Sequence, residues 1–346
     1  MKEAAFWDAE ADGTVRCRLC FHGCTISEGR CGFCGVRLNR QGRLVTLVDD
    51  NVVSLSLDPV EKKPLYHFLQ GTGTLSMGTY GCNFACRFCQ NYGISRVVSD
   101  TGRFHAGQQV TPKALVDCAL AKGIKSLSFT YNEPTIFYEL LYPTAKLARE
   151  NDLKTIMVTN GAMSEECLQS LMPVVSAANV DLKAWSRDFY RKVCAGDRDV
   201  VLKNLQGMRR AGWWLEVTTL LIPGLNDSEE DLKATACFIR DELGADTPWH
   251  VSAYFPTYKM LDRPATTPAA VEAACRLGKD AGLNYVYAGN VASAEYDATY
   301  CPSCHAVCSV RQGFKVLASC SGRCPECGAE IAGVWEDAGQ QEKKTN

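Results

Sequence analysis

Along the middle of the chain, short apolar runs alternate with longer stretches whose apolar positions recur at helical spacing, which is the pattern of repeated βα units. Seven runs read as strands: TLSMGTY (Thr74–Tyr80), SLSFT (Ser126–Thr130), KTIMVT (Lys154–Thr159), SAANVDLK (Ser176–Lys183), WLEVTTLLI (Trp214–Ile222), WHVSAYF (Trp249–Phe255) and LNYVYA (Leu283–Ala288). Helices fill most of the gaps. Pro112 directly after Thr111 marks one helix start, and Thr135, Ser164 and Ser228 are placed to cap later ones. Parallel strands joined by helices predict an α/β body, either a barrel or an open doubly wound sheet, with reactive groups at the carboxyl ends of the strands. The polar motifs gather at those ends. The last segment, EDAGQQEKKTN (336–346), lacks apolar periodicity and reads as a disordered end.

Composition narrows the class. Of 346 residues, 46% are hydrophobic and 22% charged, with a net charge of −2, which excludes collagen-like and intrinsically disordered chains. The near-neutral balance argues against nucleic acid and anionic membranes as partners. The opening MKEAAFWDAEADG has no basic region followed by an apolar run, and no apolar stretch is long enough to span a bilayer, so a cytoplasmic location is expected. In a reducing compartment, clustered cysteines read as metal ligands.

There are 19 cysteines. Cys118, Cys167, Cys194, Cys237 and Cys275 stand singly in helix-like stretches and read as small buried hydrophobes. The others form three clusters. In the tail, CPSC (Cys301, Cys304) and CPEC (Cys324, Cys327) are two knuckles suited to one tetrahedral zinc, a zinc ribbon, with Cys308 and Cys320 packing beside it. In the head, Cys17, Cys20, Cys24, Cys31 and Cys34 offer more than four ligands, and spacing alone favours the pairs Cys17/Cys20 and Cys31/Cys34. In the centre, Cys82, Cys86 and Cys89 form CxxxCxxC just after the first strand. Three thiolates suit an iron–sulfur cluster with one open iron, or a zinc knuckle that borrows a distant ligand. His22 and His67 read as ordinary polar residues. His250 and Tyr258, placed at or beyond the carboxyl end of the sixth strand, are candidate catalytic groups.

The central segment resembles the radical S-adenosylmethionine (SAM) superfamily, whose CxxxCxφC motif is matched by Cys82, Cys86, Phe88 and Cys89. YNEPT (Tyr131–Thr135), TNG (Thr159–Gly161), DLK (Asp181–Lys183) and IPGLND (Ile222–Asp227) follow in an order similar to the activating enzymes of glycyl-radical enzymes, such as the pyruvate formate-lyase activase. That resemblance implies a partial (β/α)6-type TIM-like barrel and a [4Fe–4S] cluster on the three cysteines. Phe88, Asn91, Glu133, Asn160, Asp181 and Lys183 would surround SAM: Phe88 near the adenine, Asn91 at the ribose, Glu133 at the methionine ammonium and Lys183 at its carboxylate. The chain departs from the activases at Tyr131-Asn132-Glu133, where they carry Gly-Gly-Glu, at Val158, where they carry Asp, and at Thr218, aligned with an Arg.

A resemblance that spans nearly the whole chain is to the radical SAM enzymes of the AmmeMemoRadiSam system. It is carried by CRLCFHGC (Cys17–Cys24), CGVR (Cys34–Arg37), DPVEKKPLYHF (Asp58–Phe68), GTYGCNFACRFCQN (Gly78–Asn91), WHVSAYFPTYKM (Trp249–Met260) and TYCPSC (Thr299–Cys304). It points to Cys17, Cys20, Cys24 and Cys34 as the head ligands, for zinc or an auxiliary cluster. It also implies a Cys-rich extension at 1–73, a barrel core at 74–297 and the ribbon at 298–335. The implied activity is reductive cleavage of SAM to methionine and a 5′-deoxyadenosyl radical that abstracts hydrogen from an unidentified substrate. Electrons would come from flavodoxin or ferredoxin, with Memo-like and AMMECR-like proteins or a protein substrate as partners. Three other readings are a glycyl-radical activase, an RNA-modifying radical SAM enzyme and a non-enzymatic iron–sulfur or zinc protein.

Overall fold

The computed structural model describes residues 1–103 and 107–335, so the expected disordered end at 336–346 lies outside the described residues. Eight strands build the central sheet: β1 (Ser54–Pro59), β2 (Gly73–Gly78), β3 (Ser126–Phe129), β4 (Lys154–Thr159), β5 (Ala177–Asp181), β6 (Trp214–Leu221), β7 (Trp249–Ala253) and β8 (Val286–Gly289). They neighbour one another in chain order, and β2 to β8 are all parallel. Each crossover therefore steps to the next strand in one direction, the progression of a βα barrel rather than of a doubly wound sheet. All seven expected strands are present. β1, which the sequence reading left in the head, joins the sheet antiparallel to β2.

The helices Pro112–Ala121 (α1), Tyr138–Glu150 (α2), Glu165–Leu171 (α3), Arg198–Arg210 (α4), Glu229–Phe238 (α5) and Pro268–Asp280 (α6) bury one face each. Strands such as β3 and β7 are buried at every position, although Ser126 and Ser128 in β3 and His250 and Ser252 in β7 alternate with their apolar residues. Thr111, Ser164 and Ser228 cap their helices by accepting from the backbone N–H three residues on. Thr135 does not cap. It sits inside a 3₁₀ turn, Pro134–Phe137, whose cap is Glu133, and α2 starts only after that turn. Among the described residues no helix is long and apolar enough to cross a membrane.

Two small antiparallel sheets form the head, and Thr299–Tyr300, Val307–Gln312 and Lys315–Ser319 form a third in the tail. The tail packs against the amino-terminal end of the barrel. There Glu216, third in β6, accepts from Tyr66 N (2.9 Å), His67 N (2.8 Å) and Trp214 Nε1 (3.1 Å), and His250 Nε2 lies 2.6 Å from its Oε2. Arg311 of the tail donates to Tyr66 O (3.1 Å) and lies over the Tyr66 ring. His250 is second in β7 and fully enclosed in this network, at the end of the barrel away from the cysteine loop. Its sequence-based placement at the catalytic rim is therefore corrected: it closes the floor.

His67 belongs to the same floor. Its Nδ1 donates to Ala332 O (2.6 Å) and its Nε2 accepts from Tyr287 Oη (2.5 Å), a set that satisfies the neutral ring. Burial pushes this imidazole down to about 4, from an ordinary 6.5. Between those values the unfolded chain binds a proton that the folded chain refuses, so stability is full above pH 6.5 and falls as the pH drops toward 4. The loss is about 3 kcal/mol, at about 1.4 kcal/mol per unit. Urea midpoints measured from pH 4 to 7 are expected to fall less steeply with acid in His67→Phe than in wild type. Parallel profiles would contradict this.

Candidate functional site

The loop after β2 carries Cys82, Cys86 and Cys89 across the carboxyl end of the barrel and is strapped in place along its length. Ala85 N donates to Cys194 O (2.7 Å), Arg87 N to Val193 O (3.0 Å) and Arg96 Nη1 to Phe84 O (3.1 Å). Gly196 lets the loop sit close, because a Cβ there would be 2.5 Å from the Phe84 ring. Around the sulfurs, Phe84 N donates to Cys82 Sγ (3.3 Å), and Ser95 Oγ lies 3.1 Å from Cys89 Sγ. Burial pushes the Cys82 and Cys89 thiols up, whereas a hydrogen bond from Cys194 lowers Cys86. Cys194 is thus a partner of the loop, not only a packing residue.

The strand ends bring the remaining candidates to this loop. Asn160, after β4, donates to Asn83 Oδ1 (2.8 Å) and lies 3.9 Å from Cys82 Sγ. Lys183, after β5, pairs with Asp181 at 2.9 Å beside Cys86, with Nζ 5.8 Å from the Phe88 ring. Asn91 donates to Tyr131 O (2.8 Å). Glu133 is different. Its Oε1 accepts from Thr135 N (3.0 Å), Thr135 Oγ1 (2.6 Å) and Thr159 Oγ1 (2.8 Å), and its Oε2 from Asn160 N (2.8 Å). Three of these donors crowd Oε1 and one is on Oε2, so Oε2 keeps a second acceptor site. Glu133 holds the ends of β3 and β4 together and orients Asn160.

Below this site, toward the amino-terminal end of β2 where Asp58 pairs with Thr74, three residues with no assigned role in the sequence reading meet. Asp58 accepts from Lys63 Nζ (2.6 Å), Tyr131 Oη (2.6 Å) and Lys62 Nζ (2.9 Å), with Lys63 2% exposed. Burial opposes ionisation of Asp58, but these donors outweigh it and hold the carboxyl well below the ordinary carboxylate range. Tyr131, at φ +71°, hangs from the rim to reach this pair. The signal was present: Asp58 and Lys63 sit in a quoted motif, and Tyr131 replaces a glycine of the activases. Tyr258 lies at the rim as expected, its hydroxyl on Asp100 and its ring stacked on Tyr92 at 4.7 Å.

In the tail, Cys301, Cys304, Cys324 and Cys327 converge, all four sulfurs lying within 4.8 Å of one another. Cys301 and Cys327 are 3.6 Å apart and Cys304 and Cys324 3.5 Å, close to the spacing that one ion at about 2.3 Å from each sulfur would impose. The group suits a metal ion. Cys308 and Cys320 pack in the adjoining cluster and lie outside these four. In the head, Cys17, Cys20, Cys24 and Cys34 line one internal cavity together with His22 and Arg37, while Cys31 is exposed.

A parallel barrel-type sheet thus carries three cysteines looped over its carboxyl ends, with an amide, a lysine and an aspartate gathered around them. Residues 76–236 match the radical SAM superfamily, and the chain belongs to that superfamily. It is 41% identical over 335 residues to an uncharacterised protein of Methanocaldococcus jannaschii, covering 96% of this chain and 99% of that one. It is 23% identical over 115 residues to the 4-hydroxyphenylacetate decarboxylase activating enzyme of Clostridioides difficile, covering 33% of this chain and only 36% of that protein. A domain of pyruvate-formate lyase-activating enzyme from Bacteroides vulgatus aligns at 20% identity with a TM-score of 0.40, over 47% of this chain and 98% of that one.

Proposed function

We propose that this protein cleaves SAM reductively at the Cys82, Cys86, Cys89 site and uses the resulting 5′-deoxyadenosyl radical to abstract hydrogen from a substrate. The observation that carries the reading is the loop of three cysteines in CxxxCxxC, facing Asn160, Asp181 and Lys183 at the strand ends, with Cys194 hydrogen-bonded behind the loop to Cys86. A [4Fe–4S] cluster on those cysteines would supply the electron and the open iron for SAM. The residues around it would bind and orient. Lys183 offers a cation to the methionine carboxylate, Asn160 offers a side-chain amide beside Cys82, and Phe88 offers an apolar face. Glu133 would orient Asn160 and offer the remaining acceptor site of Oε2 to the methionine ammonium. Buried strand ends exclude water, which strengthens each of these contacts.

Reduced flavodoxin or ferredoxin would donate the electron. Memo-like and AMMECR-like proteins remain proposed partners, and zinc the proposed occupant of the tail. Likeness to activating enzymes supports activation of a partner protein as a second reading, tempered by Tyr131, which fills the place of a glycine. The test is spectroscopic. Adding SAM to the reduced, reconstituted protein is expected to shift the electron paramagnetic resonance (EPR) spectrum of its cluster, as ligation at an open iron would. A spectrum indifferent to saturating SAM would overturn the reading.

A further inference from the structure

The head cavity is built differently from the tail site. Cys17 ends the strand Val15–Cys17, Cys20 and Cys24 lie in the turn that follows, and Cys34 comes just before the strand Arg37–Arg40, yet all four face one enclosed space. Among the described residues, the tail cysteines are the group of three or more metal-ligating side chains whose ligand atoms all lie within 4.8 Å of one another. One zinc ion pulls its four sulfurs close together. A four-iron cluster gives each cysteine its own iron and holds the sulfurs farther apart, which suits four cysteines that line one cavity without closing to one-ion spacing.

Arg37 points to an occupant independently. Its side chain is 1% exposed and lines the same cavity. One guanidinium nitrogen donates to Ala5 O and another lies 3.3 Å from Glu139, but Nε has no partner. A buried N–H left without an acceptor costs about 1–3 kcal/mol. Sulfur atoms of an anionic, thiolate-bound cluster are acceptors of the right charge.

The head also touches the central loop. His22, stacked between Phe21 (4.0 Å) and Phe33 (4.2 Å), places Nε2 2.8 Å from Asn83 O, one residue from Cys82. On the other side, Gly81 lies against Cys34, so that a Cβ on it would be 2.7 Å from the Cys34 carbonyl oxygen. Electron tunnelling decays steeply with distance and is carried better by bonds and hydrogen bonds than by gaps, and both contacts shorten the path.

We propose that Cys17, Cys20, Cys24 and Cys34 bind a second [4Fe–4S] cluster and that it relays electrons to the Cys82 loop through His22 and Asn83. One electron leaves a reduced low-potential carrier protein, takes the head cluster from its 2+ to its 1+ state, and passes to the central cluster as the head returns to 2+. No bond forms or breaks, and no proton is consumed. The destination of the electron rests on the proposed function; the metal assignment does not.

Two measurements test this. The full chain with Cys82, Cys86 and Cys89 all changed to Ala, reconstituted without oxygen, is expected to hold about four irons and four sulfides and to give a reduced-cluster EPR signal. Zinc in place of that iron, or no iron, would overturn the assignment. If wild type also holds only about four irons, the central site is empty and the functional reading fails while this one stands. For the route, His22→Phe keeps both ring stacks and is expected to leave iron content unchanged. Reduction of the central cluster by reduced flavodoxin, followed by freeze-quench EPR, should slow roughly tenfold, with reduction by dithionite unaffected. An unchanged flavodoxin rate would sink the relay.

Discussion

Replacing Cys86 by alanine is expected to lower 5′-deoxyadenosine formation by about 10³-fold or more, because the chemistry belongs to the cofactor and this side chain is one of three that hold it. Cys86 is 8% exposed, lies beside Lys183 and accepts a hydrogen bond from Cys194. Cys194, buried in the segment that straps the loop, is the thiol hydrogen-bonded to it. The fold does not depend on it to the same degree. Removing one sulfur from a small apolar contact costs about 1 kcal/mol, so the variant should keep a nearly wild-type urea midpoint while losing the central iron and the product. A variant that loses product with its full iron content and cluster spectrum intact would contradict the role given to Cys86.

The second large effect is on stability. Asp58→Ala is expected to cost about 3–5 kcal/mol, because it strands the Lys63 ammonium in the interior without a counter-charge. Asp58 and Lys63 are 6% and 2% exposed, and their 2.6 Å contact is reinforced by the Tyr131 hydroxyl. The carboxyl is held below its ordinary value, so its contribution is present above about pH 4 and is lost as acid protonates it. Changing both partners, as Asp58→Ala with Lys63→Met, removes the stranded charge and should be less damaging than the single change. Urea unfolding of wild type, single and double variants decides it. A single variant within about 1 kcal/mol of wild type would show that Lys63 finds water.

What could be read from the sequence depended on how local each signal was. The seven parallel strands were legible because each is a short run rich in apolar and β-branched or aromatic residues set between helical patterns. The tail ligands were legible because a CPxC knuckle is a single turn. β1 was missed because its Ser-Leu-Ser-Leu alternation marks an edge strand, which pairs with β2 across an intervening loop. The structural ties of Glu133 to Thr135, Thr159 and Asn160 were not legible, because its donors come from two different strand ends. His250 was misplaced for a related reason: its position in the strand was readable, but its partner Glu216 lies on another strand. In the head, spacing favoured Cys31, whereas the chain reversal that pairs Cys31 with Leu38 leaves it outside the cavity that Cys34 faces.

The central claim is that this chain breaks SAM at the three-cysteine loop, and product analysis reaches it most directly. Anaerobically reconstituted, reduced protein is incubated with SAM, and 5′-deoxyadenosine and methionine are quantified beside the Cys86→Ala variant. The account predicts both products from wild type and neither above background from the variant. Equal yields from the two proteins, or none from a wild type whose cluster is fully loaded and whose EPR spectrum ignores SAM, would contradict it.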